Sequence, residues 1–137
     1  MGLDNGIVMK KVKREDVLKF PAFVKYEMWD NMQHNAEFVD VEIAYWRKCW
    51  GIRQAVIDAF NLDEDDADFD IEAEDIPALS KALYPFLSKE YWDENSDSIW
   101  EFDEEIDNMI QIMINLKWLQ QYMTLHPELE VRFYDSY

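Results

Sequence analysis

The sequence predicts an α+β fold in which a small antiparallel or mixed sheet packs on helices. Strand-like alternation or β-branched character marks three segments, near residues 7–12, 38–43 and 129–134. Helical spacing of apolar residues marks three others, near residues 44–60, 76–87 and 103–126. The chain has 137 residues, 49% of them hydrophobic, which is enough for one real core. We therefore predict a single domain over residues 1–137.

The three predicted strands rest on local pattern. Residues 7–12 follow the Asn5-Gly6 turn signal and are rich in β-branched residues. Residues 38–43 read FVDVEI, which alternates apolar and polar positions as a half-buried strand does. Residues 129–134, LEVRFY, alternate in the same way and are expected to pair with one of the first two. For residues 17–31 the pattern favours neither a helix near Pro21 nor an irregular connection.

The first two predicted helices are amphipathic and have recognisable ends. Over residues 44–60 the apolar positions fall within about a quarter of the helical wheel at ~100° per residue, and Asn61 is a plausible terminator. Asp75, Ile76 and Pro77 resemble an N-cap followed by proline in the first turn. That helix should run to about Leu87, with Pro85 disturbing its last turn.

The third predicted helix, residues 103–126, is the longest. Apolar residues surround most of its wheel and leave a narrow uncharged stripe of Asn108, Gln111 and Asn115, which is typical of a core helix. His126 should end it, because a residue before proline disfavours the helical region. Its most apolar run is far shorter than the ~20 residues that span a bilayer, so the sequence predicts no membrane span.

Cysteine usage and the amino terminus predict a cytoplasmic protein. Cys49 is the single cysteine, which excludes an intramolecular disulfide, and the start lacks the order of a secretory signal. Catalysis is not expected, since Cys49 lies on the apolar face of its predicted helix and only His34 and His126 could serve as its base. No phosphate-binding glycine loop or zinc-ligand cluster is present.

The net charge of −17 belongs entirely to the second half of the chain. Residues 1–60 hold nine acids and nine bases, whereas residues 61–137 hold 21 acids and four bases. Such a field repels nucleic acid and anionic membranes and attracts a basic protein surface. We therefore expect a basic protein partner, no direct nucleic-acid binding and no membrane binding.

Two acidic segments could form that binding surface, at spacings like those of a phosphate backbone. The candidate residues are Asp63, Glu64, Asp65, Asp66, Asp68, Asp70, Glu101, Asp103 and Glu104. A surface of this kind would mimic a nucleic acid, with fast and salt-sensitive association. The plainer interpretation is that high net charge keeps a small protein soluble.

The second acidic segment also supports an alternative, a calcium-binding helix-loop-helix module. Asp93, Asn95, Asp97 and Glu104 occupy positions 1, 3, 5 and 12 of such a loop. Against it, position 6 is Ser98 rather than the glycine that the sharp turn requires. Calcium is the one cofactor that the sequence suggests.

Trp46, Trp50 and Arg53 form a further candidate site at i, i+4 and i+7 of the predicted helix 44–60. A tryptophan-arginine cluster has the composition of an interface hot spot. With Tyr45 it could also line a small-ligand pocket or a weak active site. The structural alternative is that the rings are core and Arg53 reaches out to solvent.

Three segments resemble a family of small, uncharacterised bacterial and bacteriophage proteins that begin Met-Gly-Leu-Asp and carry Tyr-Trp-Arg-Lys at a helix entrance. They are residues 1–4, residues 45–48 with Ile52, and residues 132–137. This chain has Trp50 and Arg53 where the family pattern has asparagine and histidine. The resemblance brings no assigned activity. It implies a phage or mobile-element context, in which small acidic proteins bind and inhibit host factors.

Overall fold

A computed structural model describes residues 3–29, 37–88 and 102–136, with side chains from residue 106 onward in the last segment. It contains a five-stranded antiparallel sheet with the strand order β2-β3-β1-β5-β4. The strands are β1 (Asp4–Lys13), β2 (Glu27–Trp29), β3 (Phe38–Arg47), β4 (Phe69–Asp70) and β5 (Glu130–Ser136). The helices are α1 (Arg14–Val17), α2 (Trp50–Phe60), α3 (Ile76–Leu83) and α4 (Phe102–Leu125), with 3-10 turns at Ala73–Asp75 and Tyr84–Leu87. The predicted α+β fold is confirmed.

Strand β1 lies at the centre of the sheet and sets the register of both neighbours. Gly6 is opposite Tyr45 of β3 on one side and Tyr134 of β5 on the other. The β1–β3 pairing shifts register twice, and at the second shift Lys11 adopts a left-handed conformation with φ 53°. The Asp40 carboxylate stabilises this bulge, because it accepts hydrogen bonds from the Lys11 backbone N–H and from Lys10 Nζ, each at 3.1 Å.

The helices cover one face of the sheet. Ile7, Met9 and Phe133 alternate along β1 and β5 toward this face and are fully buried. They join one core cluster with α4, which contributes Met109, Ile112, Leu116 and Leu119. The intervening strand positions belong to the opposite face; Gly6 and Tyr134 are such positions, and the Tyr134 side chain points to that face.

The prediction of a helix over residues 44–60 is wrong at its start. Residues 44–47 continue β3, Lys48 turns the chain with φ 57°, and α2 begins at Trp50. The chain remains a strand through residues 44–47 because Ala44 and Trp46 bury their side chains on the core face. There the Trp46 indole N–H donates a hydrogen bond to Met109 Sδ at 3.1 Å. Asn61 ends α2, as predicted, and the structure shows that it adopts a left-handed conformation.

The long helix and the last strand lie where the sequence predicts them, within one or two residues. The outer face of α4 exposes Ile110 and Ile114, so the helix is not apolar core on all sides. Strands β2 and β4 were not predicted, and both are short edge strands. Within the described segments, every helix is too short or too polar to cross a membrane.

Candidate functional site

Residues 63–66, the acidic turn, carry four consecutive exposed acids between α2 and β4. The turn is closed by its own atoms. The Asp65 backbone N–H donates to Asp63 Oδ1 at 2.8 Å, and the Asp66 N–H donates to the Asp63 carbonyl at 3.2 Å. Asp63 therefore fixes the backbone through an Asx-type turn, and the side chains of its neighbours project outward.

Arg53 ties the acidic turn to the core. Its Nη2 donates to the Glu64 carbonyl oxygen, and its Nε and Nη2 hold both carboxylate oxygens of Asp135 at 2.9–3.1 Å. The Arg53 and Asp135 side chains are only 7% and 2% exposed. Asn5 Nδ2 also donates to Asp135 Oδ1 at 2.7 Å. A bidentate, buried pair of this kind defines the position of the turn.

Asp68 and Asp70 have a different role from the acidic turn. Asp68 Oδ1 accepts the Asp135 backbone N–H, and Arg132 of β5 lies 3.7 Å from Asp68 and 2.9 Å from Asp70. These two carboxylates therefore attach β4 and the segment before it to β5. The predicted acidic surface is divided into an outward part and a structural part. Glu101 and the side chains of Asp103 and Glu104 lie outside the described residues.

The predicted stripe of Trp46, Trp50 and Arg53 does not exist as one helical face. Trp46 is a β3 residue with 1% exposure, whereas Trp50 is 47% exposed at the start of α2. The Arg53 guanidinium lies 5.8 Å from the Trp50 ring centroid. The Trp50–Arg53 part of the predicted cluster is therefore present. Arg53 is buried rather than reaching out to solvent, and Tyr45 faces the other side of β3.

The proposed calcium ligands stay a prediction. Asp93, Asn95 and Asp97 lie outside the described residues, as does the Glu104 side chain. Within residues 3–29, 37–88 and 106–136, no three histidine, cysteine or acidic side chains are grouped closely enough to hold a metal ion.

A groove of about 310 Å³ lies between the edge of β3 and helix α4, which we call the β3 groove. Glu27, Glu42, Tyr26, Tyr45, Asn108 and Gln111 are among its lining residues. Glu42 is only 7% exposed, and its Oε2 accepts a 2.5 Å hydrogen bond from the Tyr134 hydroxyl. Burial raises the pKa of Glu42; the Tyr134 bond opposes this, and the charges of Glu27 and Asp4 add to it.

Gly6 makes the Glu42–Tyr134 contact possible. The Tyr134 ring crosses over β1 on its way from β5 to β3, and a Cβ at Gly6 would lie 2.5 Å from that ring. Trp29 packs on the other side, with its ring centroid 5.7 Å from that of Tyr134. Nearby, the Tyr45 hydroxyl donates to Asp4 Oδ1 at 2.6 Å, which raises the pKa of Tyr45 to about 12. The result is a connected set of carboxylates and rings on the sheet.

Sequence reasoning missed the β3 groove. The sequence feature that could have pointed to it is Glu42, a charged residue flanked by Val41 and Ile43, which are both buried. Its partner Tyr134 is 92 residues away in the chain. The pair forms because the two registers place Tyr134 opposite Gly6 and Glu42 opposite Val8, two residues further along β1.

Comparison of the chain with family models, with curated proteins and with solved structures gives no match.

The raised pKa of Glu42 predicts a pH dependence of stability. Between the ordinary glutamate pKa of 4.5 and the raised value, the folded protein binds more protons at this site than the unfolded chain does. The free energy of unfolding should therefore fall as pH rises through that window. In Glu42→Gln this contribution should vanish, while the amide oxygen still accepts the Tyr134 hydroxyl.

Urea unfolding of wild type and Glu42→Gln at pH values from 4 to 8 measures this contribution. The difference between the two proteins isolates Glu42 from the other carboxylates, including Glu27 and Asp4, and from Tyr134. We expect the variant to gain stability relative to wild type as pH rises. A difference that stays constant with pH would show that Glu42 titrates normally.

Proposed function

We propose that this is a non-enzymatic interaction protein that binds a basic protein surface through the acidic turn. One observation carries the proposal: four consecutive exposed acids sit on a backbone held by the buried Arg53–Asp135 pair. Because the backbone is already ordered, binding loses less conformational entropy there than it would on a flexible acidic loop.

The charge distribution supports the same partner class. The excess of acids in residues 61–137 attracts a basic surface and speeds its encounter. Closely spaced carboxylates can occupy a groove that normally receives phosphates, so a nucleic-acid-binding protein is the partner that we favour. The family resemblance adds a phage-type context, in which that partner would be a host factor.

The opposite end of the sheet differs in charge. Near its start, β1 contacts Asp135 through the Asn5 side chain. At its other end β1 carries Lys10, Lys11 and Lys13, and Arg14 follows as the first residue of α1. A basic partner should therefore approach the acidic-turn end. Glu15 and Glu128 are exposed acids near the basic end and provide matched controls.

Charge reversal tests this orientation. Asp65→Lys/Asp66→Lys should reduce, by about tenfold or more, the recovery of wild type's partner from a bacterial lysate, since two close charge contacts are reversed. Glu15→Lys/Glu128→Lys has the same net charge and should retain the partner. Recovery by wild type should also weaken steeply between low and high salt. Circular dichroism of all three proteins checks that each is folded.

Quantitative mass spectrometry of the recovered proteins gives the readout. Equal loss in both double variants would mean that net charge alone attracts the partner. Recovery that persists in the acidic-turn variant, or that is insensitive to salt, contradicts the proposal.

A further inference from the structure

We propose that the outer face of α4 binds a second copy of this chain, with the two α4 helices packed antiparallel across a two-fold axis. The surface is separate from the acidic turn and goes beyond the function proposed above. It consists of five exposed residues, which we call the α4 seam: Asp107, Ile110, Ile114, Lys117 and Gln121. The opposite side of the helix is already covered, because it buries Met109, Ile112, Leu116 and Leu119 in the core.

The spacing of the α4 seam is that of a helix–helix contact. Its positions follow one another at alternating intervals of three and four residues, as in the seam of two packed helices. They fall within roughly 80° of the helical wheel at ~100° per residue. One helix partner can therefore contact all five.

The middle of the α4 seam is apolar and lacks a cover. Ile110 and Ile114 are 47% and 41% exposed, and Phe23 beside them is 55% exposed. Phe23 and Ile114 line a hollow of about 210 Å³. The hollow has a fixed wall, because Gln111 Nε2 donates to the Phe23 carbonyl at 2.8 Å. In the antiparallel pair, Ile110 of the second copy enters this hollow and both chains remove apolar surface from water.

The charges select a second copy in one orientation. Asp107 and Lys117 lie at opposite ends of the isoleucine pair, and within the described segments neither forms an ion pair in its own chain. A two-fold axis at the level of Ile112 is two residues from each isoleucine and five residues from each charge. It places Ile110 on Ile114 of the second copy and Asp107 beside Lys117 of the second copy, and each contact occurs twice. A parallel pair would instead place like charges together.

The dimer should be weak. A contact made by one helix from each copy is small, and the net charge of −17 on each chain opposes association. At an ionic strength of about 0.15 M the screening length is about 8 Å, which limits that repulsion. Sedimentation equilibrium of the whole protein should therefore show a monomer–dimer equilibrium with a dissociation constant of about 10–1,000 µM.

A charge swap tests the pairing. Asp107→Lys and Lys117→Asp should each weaken dimerisation about tenfold or more, because each reverses one partner in both symmetric contacts. Asp107→Lys/Lys117→Asp has the net charge of wild type and should restore it to within about threefold. Net charge alone predicts a different order, with Asp107→Lys strengthening the dimer and Lys117→Asp weakening it.

A second pair of variants tests the apolar centre. Ile114→Gln should weaken dimerisation about tenfold or more, since every dimer contains the change twice. Leu18→Gln is the matched control: Leu18 is 73% exposed, lies outside α4, and should leave the dissociation constant unchanged. Circular dichroism checks that each variant is folded. Asp65→Lys/Asp66→Lys should dimerise at least as well as wild type, so failure here and failure of the acidic-turn proposal are separate results.

Disulfide capture tests the orientation. A mixture of Asp107→Cys and Lys117→Cys proteins should form a disulfide-linked pair on mild oxidation, and neither protein alone should do so. At 1.5 Å per residue, the two copies of position 107 are about 15 Å apart along antiparallel helices, beyond the ~7 Å that a disulfide spans. Cys49 is buried and common to all samples.

Three outcomes overturn the inference. Wild type that stays monomeric up to about 1 mM would show that the α4 seam does not bind a second copy. A charge-swapped protein that dimerises no better than the single variants would remove the Asp107–Lys117 pairing. Capture of Asp107→Cys by itself, as fast as in the mixture, would contradict the antiparallel arrangement.

Discussion

Replacing Arg53 by methionine is expected to lower the free energy of unfolding by about 3–5 kcal/mol, the usual cost of removing one partner from a buried ion pair. The variant leaves the Asp135 carboxylate, 2% exposed, without the two guanidinium donors at 2.9–3.1 Å. It also removes the donor to the Glu64 carbonyl, which holds the acidic turn. Urea unfolding followed by circular dichroism measures the change.

A second substitution separates the loss of charge pairing from the loss of packing. In Arg53→Met/Asp135→Asn the buried group is neutral and still accepts the Asn5 side chain, so the double variant should lose clearly less than the sum of the single losses. Arg132→Met is the matched control: its pairs with Asp68 and Asp70 are partly exposed and should contribute about 1 kcal/mol or less. Additive losses in the double variant would show that Arg53 and Asp135 act independently.

Replacing Arg53 by methionine also tests whether this residue orders the acidic turn, the proposed binding surface. Without Arg53 the acidic turn keeps its internal Asp63 bonds but loses its attachment to the core. Limited proteolysis should then cut near residues 63–66 faster than in wild type under fully native conditions. Equal cleavage rates would mean that the turn is ordered by its own hydrogen bonds.

The elements that the sequence predicts well are those with a local cause. Alternation along residues 38–43, the apolar wheel of residues 103–126 and the stop at Pro127 each act over a few residues, and the structure contains all three. The predicted boundary between β3 and α2 is wrong because Tyr45 and Trp46 fit both the strand period and the helix period. Burial of Trp46 against Met109, 63 residues away, decides in favour of the strand.

The contacts within the candidate sites also depend on residues far apart in the chain. The sequence shows that residues 63–70 are acidic, but it does not show which of these acids face outward and which attach β4 to β5. Asp70 is opposite Arg132 only because β4 pairs with β5 in one register, and Arg53 reaches Asp135 across 82 residues. The pairing of Glu42 with Tyr134 depends on two registers at once.

Asn115, in the uncharged stripe of α4, connects the helix to neighbouring segments and does not face solvent. Asn115 is 1% exposed and uses both ends of its amide. Its Nδ2 donates to the carbonyls of Lys25 and Ile43 at 2.8 and 2.9 Å, and its Oδ1 accepts from the Lys25 N–H at 3.3 Å and from Gln111 at 2.9 Å. One side chain therefore joins α4, the segment before β2 and the edge of β3.

Replacing Asn115 by leucine, which has a similar volume, is expected to lower the free energy of unfolding by about 2–4 kcal/mol. The leucine fills the space but leaves the Lys25 N–H and the carbonyls of Lys25 and Ile43 without their partner. The bond to Ile43 is buried and those to Lys25 are partly buried, so their loss carries a desolvation cost. Asn108→Leu is the control, since Asn108 makes one bond, to the Tyr45 carbonyl near solvent, and its loss should be about 1 kcal/mol or less. Hydrogen exchange should show the Lys25 amide losing protection in Asn115→Leu and retaining it in Asn108→Leu. Equal destabilisation by the two variants would mean that Asn115 contributes as packing and not as a hydrogen-bonded joint.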